Sequence, residues 1–273
     1  VVLAESLIII TGKFDLSLES TVGIAPMFAA WLMIADVSLG GSGIGISGYA
    51  GIAVVLATGL LIGLINGLLV VKLRLNAFIT TLAMLILLRG VTLGITNGQT
   101  LFDLPEPFLY LGNAKWAGIP ASIWIAGLLF LFFGLMMRYH RIGRAIYAIG
   151  GNPEAARVAG IPVERITLGV FVVGSLLAAL AGLLLTGRIA SVVSSQGQNM
   201  IFYVFAASVI GGISLNGGQG RLIGALTGVL LLGLLQNVLT LSQVAAFWID
   251  ACYGAIILLA LIITRLSGET PRA

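Results

Sequence analysis

GYAGIAVVLATGLLIGLINGLLVV, residues 48–71, is the stretch whose reading decides the fold. It passes the roughly 20 residues that an α-helix needs to cross a bilayer, and only then do the charges of Lys72 and Arg74 appear. Gly59, Gly63 and Gly67 recur at every fourth position along it. Small residues at that spacing let two helix backbones approach closely, so that dispersion contacts and interhelical hydrogen bonds replace the hydrophobic drive that lipid removes. The stretch reads as one membrane helix packed against another.

Outward from it, similar apolar runs lie near 1–11, 16–35, 76–96, 119–137, 166–187, 200–214, 221–241 and 247–264. The chain is 59% hydrophobic and 9% charged, far from the roughly 45–50% apolar and 25% charged balance of soluble domains. The expected fold is all-α: a polytopic transmembrane helical bundle of about nine to ten membrane segments, short or broken helices included. It forms a single transmembrane domain over 1–273. The run 200–214 is short for a full crossing and reads as a half-helix, a tilted span or a re-entrant segment. Gly220, Gly224 and Gly228 repeat the packing spacing of 59–67. Val1-Val2-Leu3-Ala4 opens with neither Met nor a basic n-region, so it does not read as a signal peptide. The expectation is a helix cut short, with another membrane helix before residue 1. Cys252, the single cysteine, falls in an apolar run and reads as a small packing residue.

A formal charge of +4 from 14 basic and 10 acidic residues raises the question of nucleic acid. The basic residues collect at the ends of apolar segments rather than on one surface, which is a membrane topology pattern and excludes that partner. Lys72 and Arg74 sit in one linker. The stretch 138–165 holds five arginines (138, 141, 144, 157 and 165) against Glu154 and Glu164, a net +3, whereas 97–118 holds Asp103 and Glu106 against Lys115. The positive-inside rule then puts 72–75 and 138–165 in the cytoplasm and 97–118 outside. Alternating crossings carry Arg265 and Arg272 to the cytoplasm and leave Asp250 at an outer interface. The basic cluster can also attract anionic membrane lipid, at roughly 1 kcal/mol per residue.

Within 138–165, Asn152-Pro153-Glu154 is a helix start: a capping Asn, Pro at the first helical position and an acid in the first turn. Gly160 and Pro162 stop it, which predicts one to two turns from Pro153 to Ala159. A helix that short needs packing to hold it. It either docks into a groove on another protein or lies on the cytoplasmic ends of its own bundle.

The run from Gly143 to Arg157, GRAIYAIGGNPEAAR, resembles the cytoplasmic loop of ribose-type ABC transporter permeases, within the sugar and branched-chain amino acid permease superfamily. Two other places share the resemblance in the same order: Gly12-Lys13-Phe14-Asp15-Leu16-Ser17 is similar to the family's Gly-Gly-Ile-Asp-Leu-Ser, and Val209-Ile210-Gly211-Gly212-Ile213-Ser214 with Gly217-Gly218-Gln219-Gly220 is similar to its Gly-rich segment. The resemblance covers essentially the whole chain. It implies an importer in the cytoplasmic (inner) membrane of a prokaryote, with a cytoplasmic ATP-binding subunit, an extracytoplasmic solute-binding protein and a second permease copy or paralogue. Asn152, Pro153, Glu154, Ala155, Ala156 and Arg157 would couple to the ATPase. ATP and magnesium belong on that partner, since this chain has no G-x-x-x-x-G-K-[ST] loop. The solute implied is a small polar molecule, above all a monosaccharide. Departures from the pattern are Lys13 and Glu19 in place of Gly, Phe14 in place of Ile, and Ile201 and Tyr203 where sugar permeases often carry an acid.

Candidates for a translocation pathway are Phe14, Asp15, Ser17, Asn66, Thr80, Arg89 and Asn97, with Thr81 as an alternative to Thr80. A charge at membrane depth must pair or face water. Asp15 has Lys13 and Glu19 nearby for a local network, and a broken helix there would leave backbone groups free to line a path; alternatively Ser17 or Asp15 caps the next helix. Arg89 either snorkels outward or faces the interior with Asn97 or a carboxylate. His140, the only histidine, stands among arginines with no ligand set or base-orienting partner, so it reads as interfacial and no metal or catalytic residue is expected. A stand-alone secondary transporter or channel is the competing class and would need its own coupling-ion site. An intramembrane enzyme lacks a His-rich metal motif or G-x-S-x-G elbow.

Overall fold

A computed structural model describes residues 1–266, apart from some side chains in the last helix. The readings of Arg272 and of the Asp250 and Arg265 side chains lie outside the described residues. Among the described residues there are twelve α-helices. They are α1 (Val2–Ile10), α2 (Leu18–Met33), α3 (Gly48–Val71), α4 (Ala77–Thr96), α5 (Glu106–Asn113), α6 (Ala121–Tyr139), α7 (Arg141–Gly151), α8 (Pro153–Val158), α9 (Val163–Ile189), α10 (Met200–Ile210), α11 (Leu222–Leu241) and α12 (Ala246–Leu266). A 3-10 turn at Val37–Leu39 and a two-residue hairpin, β1 (Lys115–Trp116) with β2 (Ile119–Pro120), complete the elements. Helices α3, α4, α6, α9 and α11 are long and apolar enough to cross a membrane. The side chains explain why they need one: in the most apolar window of α6 only 11% is buried, and Ile123, Leu128, Leu131 and Phe132 point outward. Water would not tolerate so long an apolar surface, and lipid does.

Contacts divide the chain into two compact units. The first comprises Val1, Asp15–Leu129 and Thr167–Gln198. In it α2 packs on α3 and α4, and α3 also meets α5. Along α3 a Cβ at Gly59 would lie 2.6 Å from Ala179 Cβ, one at Gly63 would lie 2.7 Å from Val172 Cα, and one at Gly67 3.3 Å from Leu168 Cγ. The glycine ridge therefore seats α9, with least room at its first two steps. Asn76 caps α4 through Oδ1 to the Ile79 N–H at 3.2 Å, and Asn97 in the left-handed region ends it, as Asn at a helix C-terminus can.

The second unit comprises Val2–Phe14, Phe130–Ile166 and the chain from Asn199 on. Every residue of α1 is buried, against α7, α10 and α11. The run expected over 200–214 ends at Ile210, because Gly211 and Gly212, the latter at φ +78°, turn the chain away. Gly220 departs from the expected helical repeat as well: it precedes α11, has φ +121° and abuts Ile213, so of the three glycines only Gly224 and Gly228 lie on α11. Those two admit the Gly211 and Ala207 carbonyls respectively.

The stretch 138–165 is more helical than its polarity suggests. Besides α8 it contains α7, whose buried face is Gly143, Ala145, Ile146 and Ile149, a helical spacing on one side. Likewise 97–118 holds α5, begun by Pro105 and Glu106.

Candidate functional site

A polar seam in the first unit begins where α2 begins. Asp15 is wholly buried. Its Oδ1 accepts from the Ser17 backbone N–H at 3.0 Å and from Ser17 Oγ at 2.6 Å, so the carboxylate turns the chain into the helix. Ser17 occupies the N-cap position without capping through its own side chain. Asn66, on α3 and also fully buried, donates from Nδ2 to Ser17 Oγ at 2.7 Å, with Asp15 Oδ2 at 3.4 Å. From α4, Thr81 Oγ1 accepts the Leu16 N–H at 3.2 Å and donates to the Ala77 carbonyl at 2.8 Å. Thr80 is buried one residue earlier, and Thr81 is the one hydrogen-bonded to this turn. A buried polar group without partners costs a few kcal/mol; here the partners are drawn from three helices.

One turn along α2, Glu19 meets Arg89 of α4, Oε1 to Nη2 at 3.2 Å, and both side chains are largely buried. Arg89 therefore faces the interior and a carboxylate; Asn97 is exposed at the far end of α4. The Arg89 Nη1 reaches the carbonyls of Ser194 and Gln196 at 3.4 and 3.3 Å. Gln196 completes the seam, donating from Nε2 to Val22 O at 3.0 Å and Gly182 O at 3.2 Å, with Thr186 Oγ1 at 3.3 Å.

In the second unit Phe14 lies against Phe205, ring centroids 5.8 Å apart. Tyr203 donates to Val229 O at 3.0 Å and meets Tyr253 edge-on, so it joins α10 to its neighbours; Ile201 is buried. The N–H of Gly218 donates to Ile10 O at 2.8 Å, and Gly150 lies so close that a Cβ on it would overlap both groups. Tyr147 donates to Gly220 O at 2.7 Å. Burial pushes the Tyr147 phenol up, the Arg221 guanidinium pulling the other way, so it stays a donor. His140 is exposed and caps α7, Nδ1 accepting the Ile142 N–H at 3.2 Å. Asn152 caps α8, its Oδ1 accepting from the Glu154 and Ala155 N–H groups at 3.0 Å each. Among 152–159 only Ala156 is buried, and Val158 is 90% exposed.

Two residues escaped the sequence reading. Glu5 is wholly buried in α1, hidden in the sequence by the shortness of the run around it. Gln196 stood in a polar link between spans, and the signal that finds it is Pro26 inside α2: a helix proline leaves a carbonyl four residues back in need of a donor.

Long apolar helices left bare outside, and a polar seam sealed within, define a multi-pass membrane protein. The chain belongs to the family described as branched-chain amino acid transport system / permease component, which it matches over residues 1–261. It is 37% identical to the ribose import permease protein of Escherichia coli strain K12 over 262 residues, 94% of this chain and 79% of that one. It is 37% identical to the L-arabinose transport system permease protein of the same strain over 264 residues, 96% and 77%. The L-arabinose ABC transporter permease protein of Azospirillum brasilense is 34% identical over 262 residues, 96% and 75%. No solved structure matches the chain. The resemblance read from the three motifs is thereby shown.

Proposed function

We propose that this chain is the membrane-spanning subunit of an ATP-binding-cassette importer that carries a monosaccharide into a prokaryotic cell across the cytoplasmic membrane. Relatives named for ribose and L-arabinose support the solute class. Counting short α1, α2 and α10 with the longer helices gives about nine membrane segments, with 72–75 and 138–165 on the cytoplasmic side. ATP and magnesium belong to a separate cytoplasmic ATP-binding subunit, and a solute-binding protein and a second permease complete the assembly. Anionic lipid meets the arginines at 138, 141 and 144. No covalent chemistry takes place in this subunit.

The observation that carries the reading is α8. A helix of 6 residues is too short to persist by itself, yet this one is capped by Asn152 and turns Glu154, Ala155, Arg157 and Val158 outward. An outward face on so short a helix fits a groove in a partner. Closure of the ATPase pair would pull on 152–159, and the bundle would change the side to which its path opens. Asp15, Ser17, Asn66, Thr80 and Arg89 are the candidates for that path in the first unit and Phe14 in the second, whereas exposed Asn97 is the weakest of them. Photocrosslinking from position 152 in native membranes tests the reading. Capture of an ATPase is the expected result; failure alongside a working control elsewhere in the chain overturns it in favour of a stand-alone carrier.

A further inference from the structure

Pro26 lies inside α2 and has no N–H to give Val22 O, the carbonyl four residues back. In a bilayer such a carbonyl must find a donor within the protein. The donor is Gln196, whose Nε2 lies 3.0 Å from Val22 O. Three glycines clear the way. A Cβ on Gly182 would overlap Val22 O and sit 3.1 Å from Pro26 Cδ, one on Gly23 would lie 2.6 Å from Gln196 O, and one on Gly197 would overlap Glu19 O. The link is fastened again by Arg89 on the Ser194 and Gln196 carbonyls. So α2, α9 and the segment 190–198 meet at one point, and that point is the one where the α2 backbone ladder is incomplete.

We infer that Gln196 replaces the backbone hydrogen bond withheld by Pro26 and thereby sets the position of α2, including the Asp15–Ser17–Asn66 turn at its start, for solute passage. Gln196 is a positioning residue: it touches backbone, and acts through α2. A side-chain donor can let go and re-form where a backbone donor cannot move without unwinding the helix, so the junction is able to change as the path changes sides. The role in passage rests on the importer reading; the replacement of the bond does not.

The test is a double-mutant cycle of Gln196→Met, which keeps the length and removes the donor, with Pro26→Ala, which returns an N–H to Val22 O. Uptake of ribose and of L-arabinose is measured at matched amounts of folded protein in native membranes, and thermal unfolding is followed on the same four proteins in nanodiscs. Gln196→Met is expected to lower the maximal uptake rate about tenfold with half-saturation unchanged, about the size of one net buried hydrogen bond. In the Pro26→Ala background the same change should cost no more than about threefold, and its shift in unfolding midpoint should shrink in parallel. Independent effects in both measurements, or an unchanged Gln196→Met protein, overturn the inference. If the unsubstituted protein takes up neither sugar, the importer reading for these solutes fails, while the unfolding cycle still decides whether Gln196 stands in for the missing donor.

Discussion

The two units solve the same problem by opposite means. In the first, the break before α2 is held by side chains: Asp15, Asn66 and Thr81 reach the turn, and Arg89 and Gln196 reach carbonyls further on. In the second, the end of α1 is held by the lack of side chains, with Ile10 O on the Gly218 N–H and Gly150 pressed against both. The first junction is specified by chemistry and the second by volume. Backbone buried away from water demands one or the other, since its polar groups must pair within the protein.

The contrast predicts which substitutions each junction tolerates, and the largest effect belongs to the glycine side. Gly150→Ala adds one carbon that overlaps Ile10 O and the Gly218 N–H. It should destabilise by about 3 kcal/mol or more, at the upper end of overpacking costs. At Gly151 a Cβ meets nothing within 4 Å, so Gly151→Ala should stay within about 0.5 kcal/mol. Thermal unfolding in nanodiscs compares the neighbours, and equal effects would break the volume argument.

On the polar side size should matter less than charge. Asn66→Asp sets a second carboxylate 3.4 Å from Asp15 Oδ2 and removes the donor to Ser17 Oγ. A loss of about 2–3 kcal/mol is expected, against about 1 for Asn66→Leu, which removes the Nδ2 contacts with Ser17 and Asp15 without adding charge. Unfolding of the two variants should rank them in that order, and the reverse would mean that the seam is set by packing after all.

A smaller difference should separate the partners of the ion pair. Removing Glu19 leaves the Arg89 guanidinium with two carbonyls, whereas removing Arg89 leaves both the carboxylate and the 194–196 link without it. Arg89→Gln should therefore cost about 2 kcal/mol more than Glu19→Gln, read from the same unfolding measurements.

Much of this is legible in the sequence, and unevenly so. The run 48–71 became α3 with its bounds unchanged, since a bilayer-spanning helix is set by hydropathy and length, both local. The α8 start was legible because Asn152-Pro153-Glu154 is complete within three residues. Helix α7 was missed although Ala145, Ile146 and Ile149 have helical spacing, the surrounding arginines drawing attention to charge instead. The seam was half legible: Asp15 with Ser17 and Asn66 stood out as costly polar groups, and so did Arg89, but its choice of Glu19 over Asn97 depends on how α4 lies against α2. Gln196 lies 174 residues from Val22 in the chain, and no local pattern joins it to the donor that Pro26 withholds.

The smallest expected effect on stability is also the one that separates holding from signalling. Glu154 and Arg157 are exposed on α8, and α8 is held by the Asn152 cap and by buried Ala156, so neither charge supports the fold. Glu154→Ala with Arg157→Ala should leave unfolding within about 0.5 kcal/mol of the unsubstituted protein. If the outward face exists to meet an ATPase, the same variant should lower sugar-coupled ATP hydrolysis several-fold, a loss of about 1–2 kcal/mol at the interface. A stable protein with normal coupling would make α8 a mere surface turn. A destabilised one would mean that volume and charge both hold this loop, and the division between the two junctions would not extend to it.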